Sequence, residues 1–252
     1  MKAAQRARRD TLHDTRRDLV VANRILAHEG ILDAFGHVSV RHPSDPTRFL
    51  LSRMMAPGQV DTNDILEFDR DSQPVKKDGA RVFVERFIHG EIYRLRPDVM
   101  AVVHSHSPSL IPYGTNGIKL KPMYHMSAFL GQGAPVFDIR DSDKRSDMLV
   151  RNGAHGSALA RSLGEAAVAL MRGHGKCQHR PHRARRHLPR RVLRTQRATA
   201  IAGPAAGRQD TLLVAKRSDW RRQGQYRRAR QGLALLGRAC RLRPSLPNPR
   251  KT

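Results

Sequence analysis

Residues 99–106 read Val99-Met100-Ala101-Val102-Val103-His104-Ser105-His106, an apolar β-type run with no helical stripe. In a strand, residues two apart share a face, so His104 and His106 present their imidazoles side by side where the run gives way to Ser107-Pro108. Two neutral imidazoles on one rigid face chelate a divalent transition metal well. Alone, a His-x-His pair reads more readily as a surface or core pair with hydrogen-bonded rings. Two further residues bear on the choice. His174 sits between Gly173 and Gly175, a backbone free enough to bring a third imidazole to a shared ion. Glu85 lies on the helix just before the strand and can supply a carboxylate, although position alone also describes a solvated helix-face charge. Three histidines with an open position form a catalytic rather than a structural site.

Outward from this strand the pattern alternates. A helix is predicted over about residues 10–29, with Leu19, Ala22 and Leu26 on one stripe and Gly30 as its stop. His37-Val38-Ser39-Val40-Arg41 and Phe49-Leu50-Leu51 read as strands, and Asp69–Asp78 as turn material. Val84, Phe87, Ile88 and Ile92 mark a second helix that ends before Pro97. A third helix is expected within Ser146–Leu163, then a short strand Ala167–Met171 running into Arg172-Gly173-His174-Gly175. Strands interleaved with helices predict an α/β domain with a central β-sheet flanked by helices. His89, one turn beyond Glu85, is a structural histidine or a partner of the site.

These residues, in order, resemble the class II aldolase/adducin-head family. The resemblance rests on Gly36-His37-Val38-Ser39-Val40-Arg41, Glu85, Arg96-Pro97-Asp98-Val99 leading to Val103-His104-Ser105-His106, and Arg172-Gly173-His174-Gly175. The 19 residues from Glu85 to His104 match the family spacing between catalytic acid and first histidine. It implies one divalent metal ion per subunit on His104, His106 and His174 (zinc first, with Mn, Co or Fe as alternatives), Glu85 as acid/base, and a homotetramer; the low cysteine count separately fits a cytoplasmic protein. The text around Val103–Gly114 and Tyr124–Phe129 is similar to a branch of decarboxylases acting on dihydroxyphthalate or ring-cleavage carboxylates. The sugar-phosphate aldolases of the family carry Asn where this chain has His37, a small hydroxyl–glycine loop where it has Ser52-Arg53-Met54-Met55-Ala56-Pro57, and hydroxyl residues where it has Phe83-Val84. A phosphate site needs amides and hydroxyls converging on the anion. Here His37, Ser52 and Arg53 offer hydrogen bonds to a small-molecule carboxylate substrate instead, Arg53 reading equally as a surface salt-bridge residue, and His125 is either a further substrate contact or a loop residue. A metal-dependent carbon–carbon lyase follows, decarboxylase before aldolase, with a non-catalytic or nucleic-acid-binding protein as the contrasting classes.

Charge divides the chain of 252 residues, whose formal net charge is +25. Residues 1–175 hold 25 Lys+Arg and 20 Asp+Glu, ordinary for a globular domain, whereas residues 176–252 hold 22 Lys+Arg, 19 of them Arg, against Asp210 and Asp219 alone. Such a tail binds nucleic acid non-specifically if it is a real arm. Two cysteines, Cys177 and Cys240, are too few for a disulfide framework, and no run of 18 apolar residues is present to cross a membrane. The tail has a second reading. Gln178–Leu193 can be written in codons that, one base later, spell SIGPTVRDAIFRAVY, a Gly-Pro turn followed by an amphipathic helix like that after the family's Gly-His-Gly turn. The division is therefore a class II aldolase-like domain over 1–175, incomplete at its C-terminal side, and an out-of-frame or disordered stretch over 176–252. Independent reads of the gene across codon 176 are expected to show an extra base there; clean in-frame coding would overturn the frame shift.

Overall fold

The computed structural model describes residues 2–181, with side chains over 11–179. The chain divides into two units, Met1–Pro204 and Ala205–Thr252, the second wholly outside the described residues. The Arg-rich tail beyond Pro181, and with it the nucleic-acid expectation, also lies outside them.

Seven strands form one mixed sheet: β1 (His37–Arg41), β2 (Phe49–Ser52), β3 (Ile65–Phe68), β4 (Val99–Ser105), β5 (Val136–Phe137), β6 (Val168–Met171) and β7 (Gly175–Pro181), in the order β3-β2-β1-β4-β7-β6-β5. Among the described residues, only β5 and β6 pair in parallel. Three helices accompany it: α1 (Lys2–His28), α2 (Arg86–Leu95) and α3 (Gly153–Leu163). The α/β expectation holds.

Period-two alternation sorts the strand residues. Val38, Val40, Leu50, Ile65, Ala101 and Val103 pack with Leu19, Ala22 and Leu26 of α1. Leu51, Phe68, Val102, Ala169 and Met171 pack on the other face with Ile88 and Ile92 of α2 and Leu159 and Leu163 of α3. The outer strands continue the pattern, with Val168 and Leu170 buried against Leu110, Tyr113, Leu120 and Leu130 of the long β4–β5 connection. Arg41 ties the far end of β1 down. Its buried guanidinium donates to the carbonyls of Val99, Tyr93, Arg96 and Pro46, satisfying acceptors where α2 turns into β4.

Several boundaries differ from the sequence reading. β3 and β5 were not anticipated; each is very short, and β3 has no clean alternation to announce it. α2 begins at Arg86, so Val84 precedes the helix and Glu85 occupies its N-cap rather than a helix face. The sheet also does not stop at Gly175: β7 runs to Pro181 between β4 and β6. Its residues Lys176, Gln178 and His179 are buried there, where a central strand ordinarily carries apolar side chains.

Ile88 is fully buried between α2, the sheet and α3. Ile88→Ala is expected to lower unfolding free energy by about 2–5 kcal/mol, read from the shift of a urea midpoint. A loss below about 1 kcal/mol would show that this face is not tightly packed.

Candidate metal centre

β4 delivers two imidazoles by the alternation that sends Val102 to the α2 face. His104, two residues on, follows it, and His106 continues the same parity just past the strand end. The third arrives from the turn between β6 and β7. Gly173 takes φ +65° there, and a Cβ on Gly175 would meet the Ser105 carbonyl at 2.5 Å, so the two glycines let the turn press against β4 with His174 between them. Glu85 completes the set from the start of α2.

The ligating atoms of Glu85, His104, His106 and His174 all lie within 4.8 Å of one another. Nε2 of His104 is 3.0 Å from Nε2 of His106, which is 3.3 Å from Nε2 of His174. Oε2 of Glu85 is 3.4 Å from Nε2 of His104 and 3.3 Å from Nε2 of His174. A tetrahedron with metal–nitrogen bonds of about 2.0–2.1 Å has edges of about 3.3–3.4 Å. These four separations are close to that size, and three nitrogens and an oxygen gathered within 4.8 Å are a ligand set for a divalent cation. Lone pairs this close repel unless a cation or shared protons lie between them.

The outer ring nitrogens are oriented. His174 Nδ1 lies 2.9 Å from the Met148 carbonyl and donates to it, which in the neutral ring leaves Nε2 with its lone pair facing the centre. Met148 takes φ +72° to offer that carbonyl, a left-handed conformation that costs a residue with a Cβ about 1–2 kcal/mol. His106 Nδ1 faces the Asp33 carboxylate at 3.0 and 3.2 Å. Asp33 also accepts from the amides of Phe35 and Gly36, at 3.0 and 2.6 Å, and so is itself fixed. His104 Nδ1 is buried with no partner among the described residues.

Burial alone would raise the Glu85 carboxyl; the adjoining His104 and His174 outweigh it and hold Glu85 far below the ordinary carboxylate range. Its other oxygen accepts from the Val150 amide at 3.0 Å. Burial pulls His104 down despite Glu85. His174 feels the same burial, but its hydrogen bond to Glu85 and the carboxylate's charge carry it above its usual value.

The sequence-assigned substrate contacts divide. His37 pairs with His104 in register across β1 and β4, and the two rings lie 5.0 Å apart. Ser52 does not join them: it is buried, but it follows Leu51 and so takes the α1 face with Leu50, away from His104. Arg53 is half-exposed and engaged by Asp64 at 2.7 Å, the ordinary surface ion pair. His125 is exposed, its ring against Tyr124 at 5.8 Å. Asp33 and Met148 were missed. An Asp three residues before Gly36 is a turn signal, but nothing in it points to a histidine 73 residues on.

A family model described as Class II Aldolase and Adducin N-terminal domain matches residues 17–177. The chain belongs to the class II aldolase and adducin N-terminal domain family. Among curated relatives of this class II aldolase-family chain, the decarboxylase tropJ of Talaromyces stipitatus is 42% identical over 164 residues, 60% of this chain and 62% of that protein. The 3,4-dihydroxyphthalate decarboxylase of Arthrobacter keyseri is 30% identical over 64% of this chain and 66% of its own. The match thus spans just under two thirds of these relatives. Of solved structures, the L-fuculose 1-phosphate aldolase from Glaciozyma antarctica PI12 is similar in fold with a TM-score of 0.60, 21% identity and coverage of 80% of this chain and 78% of its own. An aldolase II superfamily protein from Pseudomonas syringae reaches a TM-score of 0.63 at 20% identity, over 90% of this chain and 94% of that one.

Asp33→Asn is expected to weaken divalent-metal binding about 10–100-fold, measured by competition with a chromophoric chelator, while the fold is retained. An unchanged affinity would show that Asp33 does not orient His106.

Proposed function

We propose that this chain is a metal-dependent carbon–carbon lyase that decarboxylates a hydroxylated aromatic or ring-cleavage carboxylate. The observation that carries the reading is the Glu85, His104, His106 and His174 cluster, whose donor atoms all lie within 4.8 Å of one another. Relatives that carry decarboxylase names support the choice of bond. Zinc is the proposed ion, since three imidazole nitrogens are ligands it favours over magnesium or calcium, with the Glu85 carboxylate beside them.

A divalent ion held by His104, His106 and His174 supplies Lewis acidity for the electron pair released when the carbon–carbon bond breaks. The remaining work belongs to the protein. Ionised Glu85 takes the proton of a substrate hydroxyl and returns it to the carbon that loses CO2. The C–C bond breaks, CO2 departs, a C–H bond forms, and solvent restores the hydroxyl proton. His37, at the wall beside His104, is the retained substrate contact. Arg53 and His125 leave the proposal because of the partners and exposure described above, and Ser52 because of the face it occupies.

No described helix is long and apolar enough to cross a membrane. A homotetramer with sites at subunit junctions is the proposed assembly, carried over from the resemblance, and the cytoplasm is the proposed location because of the low cysteine count. We also propose that residues from about 176 onward are read out of frame. The family match ends at Cys177, and a lysine, a glutamine and a histidine fill buried positions of β7. Burial lowers the Lys176 amine to about 7.

Incubation of the zinc-loaded protein with 3,4-dihydroxyphthalate is expected to release CO2, to stop on chelation and to resume when zinc is restored. Glu85→Gln should keep the metal and lose about 10²–10⁴-fold in kcat. Metal-replete protein releasing no CO2 from this acid or other hydroxylated aromatic carboxylates would contradict the decarboxylase reading.

A further inference from the structure

Behind the centre, a row of buried polar groups lies between β1 and α2, of which the lyase chemistry above uses His37 alone. His37 Nδ1 is 2.6 Å from His89 Nε2, His89 Nδ1 is 2.6 Å from Ser39 Oγ, and Ser39 Oγ is 2.8 Å from the Tyr93 hydroxyl. All four side chains are buried. Parity explains the row: His37 and Ser39 point to the α2 face, where His89 and Tyr93, four apart, present one helix side to them.

Counting hydrogens fixes the direction of each contact. Burial keeps the Tyr93 phenol protonated, and Ser39 is its side-chain hydrogen-bond partner. Were the chain to run toward Tyr93, that O–H would be buried without an acceptor, a loss the opposite direction avoids. The order is therefore Tyr93 O–H to Ser39 Oγ, Ser39 O–H to His89 Nδ1, and His89 Nε2–H to His37 Nδ1. A neutral imidazole that accepts at Nδ1 carries its proton on Nε2. His37 Nε2 has no hydrogen bond among the described residues, and its ring lies against His104 and Phe83.

We propose that Tyr93, Ser39 and His89 form a positioning chain that presents His37 to the substrate as a fixed Nε2–H donor, so that the site selects an acceptor oxygen, namely a carboxylate that the substrate keeps. The identity of that ligand rests on the lyase reading; the hydrogen-bond order does not. A hydroxyl can serve as donor or acceptor, whereas a carboxylate only accepts, and a donor with one allowed direction discriminates in its favour.

Long-range ¹⁵N–¹H NMR of the histidine-labelled full chain, with His37→Asn and His89→Leu for assignment, tests the order without substrate. Both rings are expected to carry the proton on Nε2; a proton on Nδ1 of either overturns the chain. With 3,4-dihydroxyphthalate, Ser39→Ala and His89→Leu should each raise KM about tenfold with kcat within about twofold and zinc content unchanged. His89→Gln, whose amide still donates to His37, should restore KM. Loss in kcat with KM unchanged, or equal KM for His89→Gln and His89→Leu, would overturn the positioning role. If wild-type protein binds and turns over no such acid, the lyase reading fails while the NMR result still decides the order.

Discussion

Everything at this site depends on one geometric constraint, the register of β4 between β1 and β7. Placing His37 opposite His104 and Cys177 on its other side sends the His104 ring to the α2 face. A slip of one residue would turn His104 toward α1 and bring Val103 in its place. The same register seats Gly175 against the Ser105 carbonyl and so sets where the turn bearing His174 closes. Glu85 then meets the imidazoles because α2 begins beside the strand end. The alternation that buries the core therefore also aims the ligands, and a mutation that disturbs one disturbs the other.

Much of this was legible beforehand, for reasons that can be named. The Val99–His106 run carries its alternation openly, and glycines on both sides of His174 advertise a backbone that must do something unusual. What could not be read were contacts made across the fold by residues whose local role is ordinary. Asp33 looks like a turn former, and it is one, accepting two amides while also holding His106. Met148 gives no hint of a positive φ. Ser52 and Arg53 show the converse. Both had suitable chemistry, but face parity removes the first and a nearby aspartate engages the second. The two missed strands are short enough that their pairing depends on neighbours more than on their own residues.

β7 is the place where local sequence and global fold disagree. A strand between two others should be apolar on both faces, yet Lys176, Gln178 and His179 occupy it, with burial pulling His179 down to about 4. Local partners soften the conflict: the Lys176 amine donates to Gln178 Oε1, and His179 Nε2 donates to the Ala166 carbonyl. Natural sequences seldom place such conflicts in a core without a functional gain. These three side chains add nothing to the centre, whose ligands end at His174. The out-of-frame account removes the conflict at its source.

The central claim is that Glu85, His104, His106 and His174 surround one divalent cation. X-ray absorption at the zinc edge of the loaded protein tests it most directly. The account predicts one zinc per chain with only nitrogen and oxygen ligands at about 2.0–2.1 Å and scattering from three imidazoles. Sulfur ligation from Cys177, or the same spectrum and stoichiometry when His104 and His174 are both replaced by alanine, would contradict it.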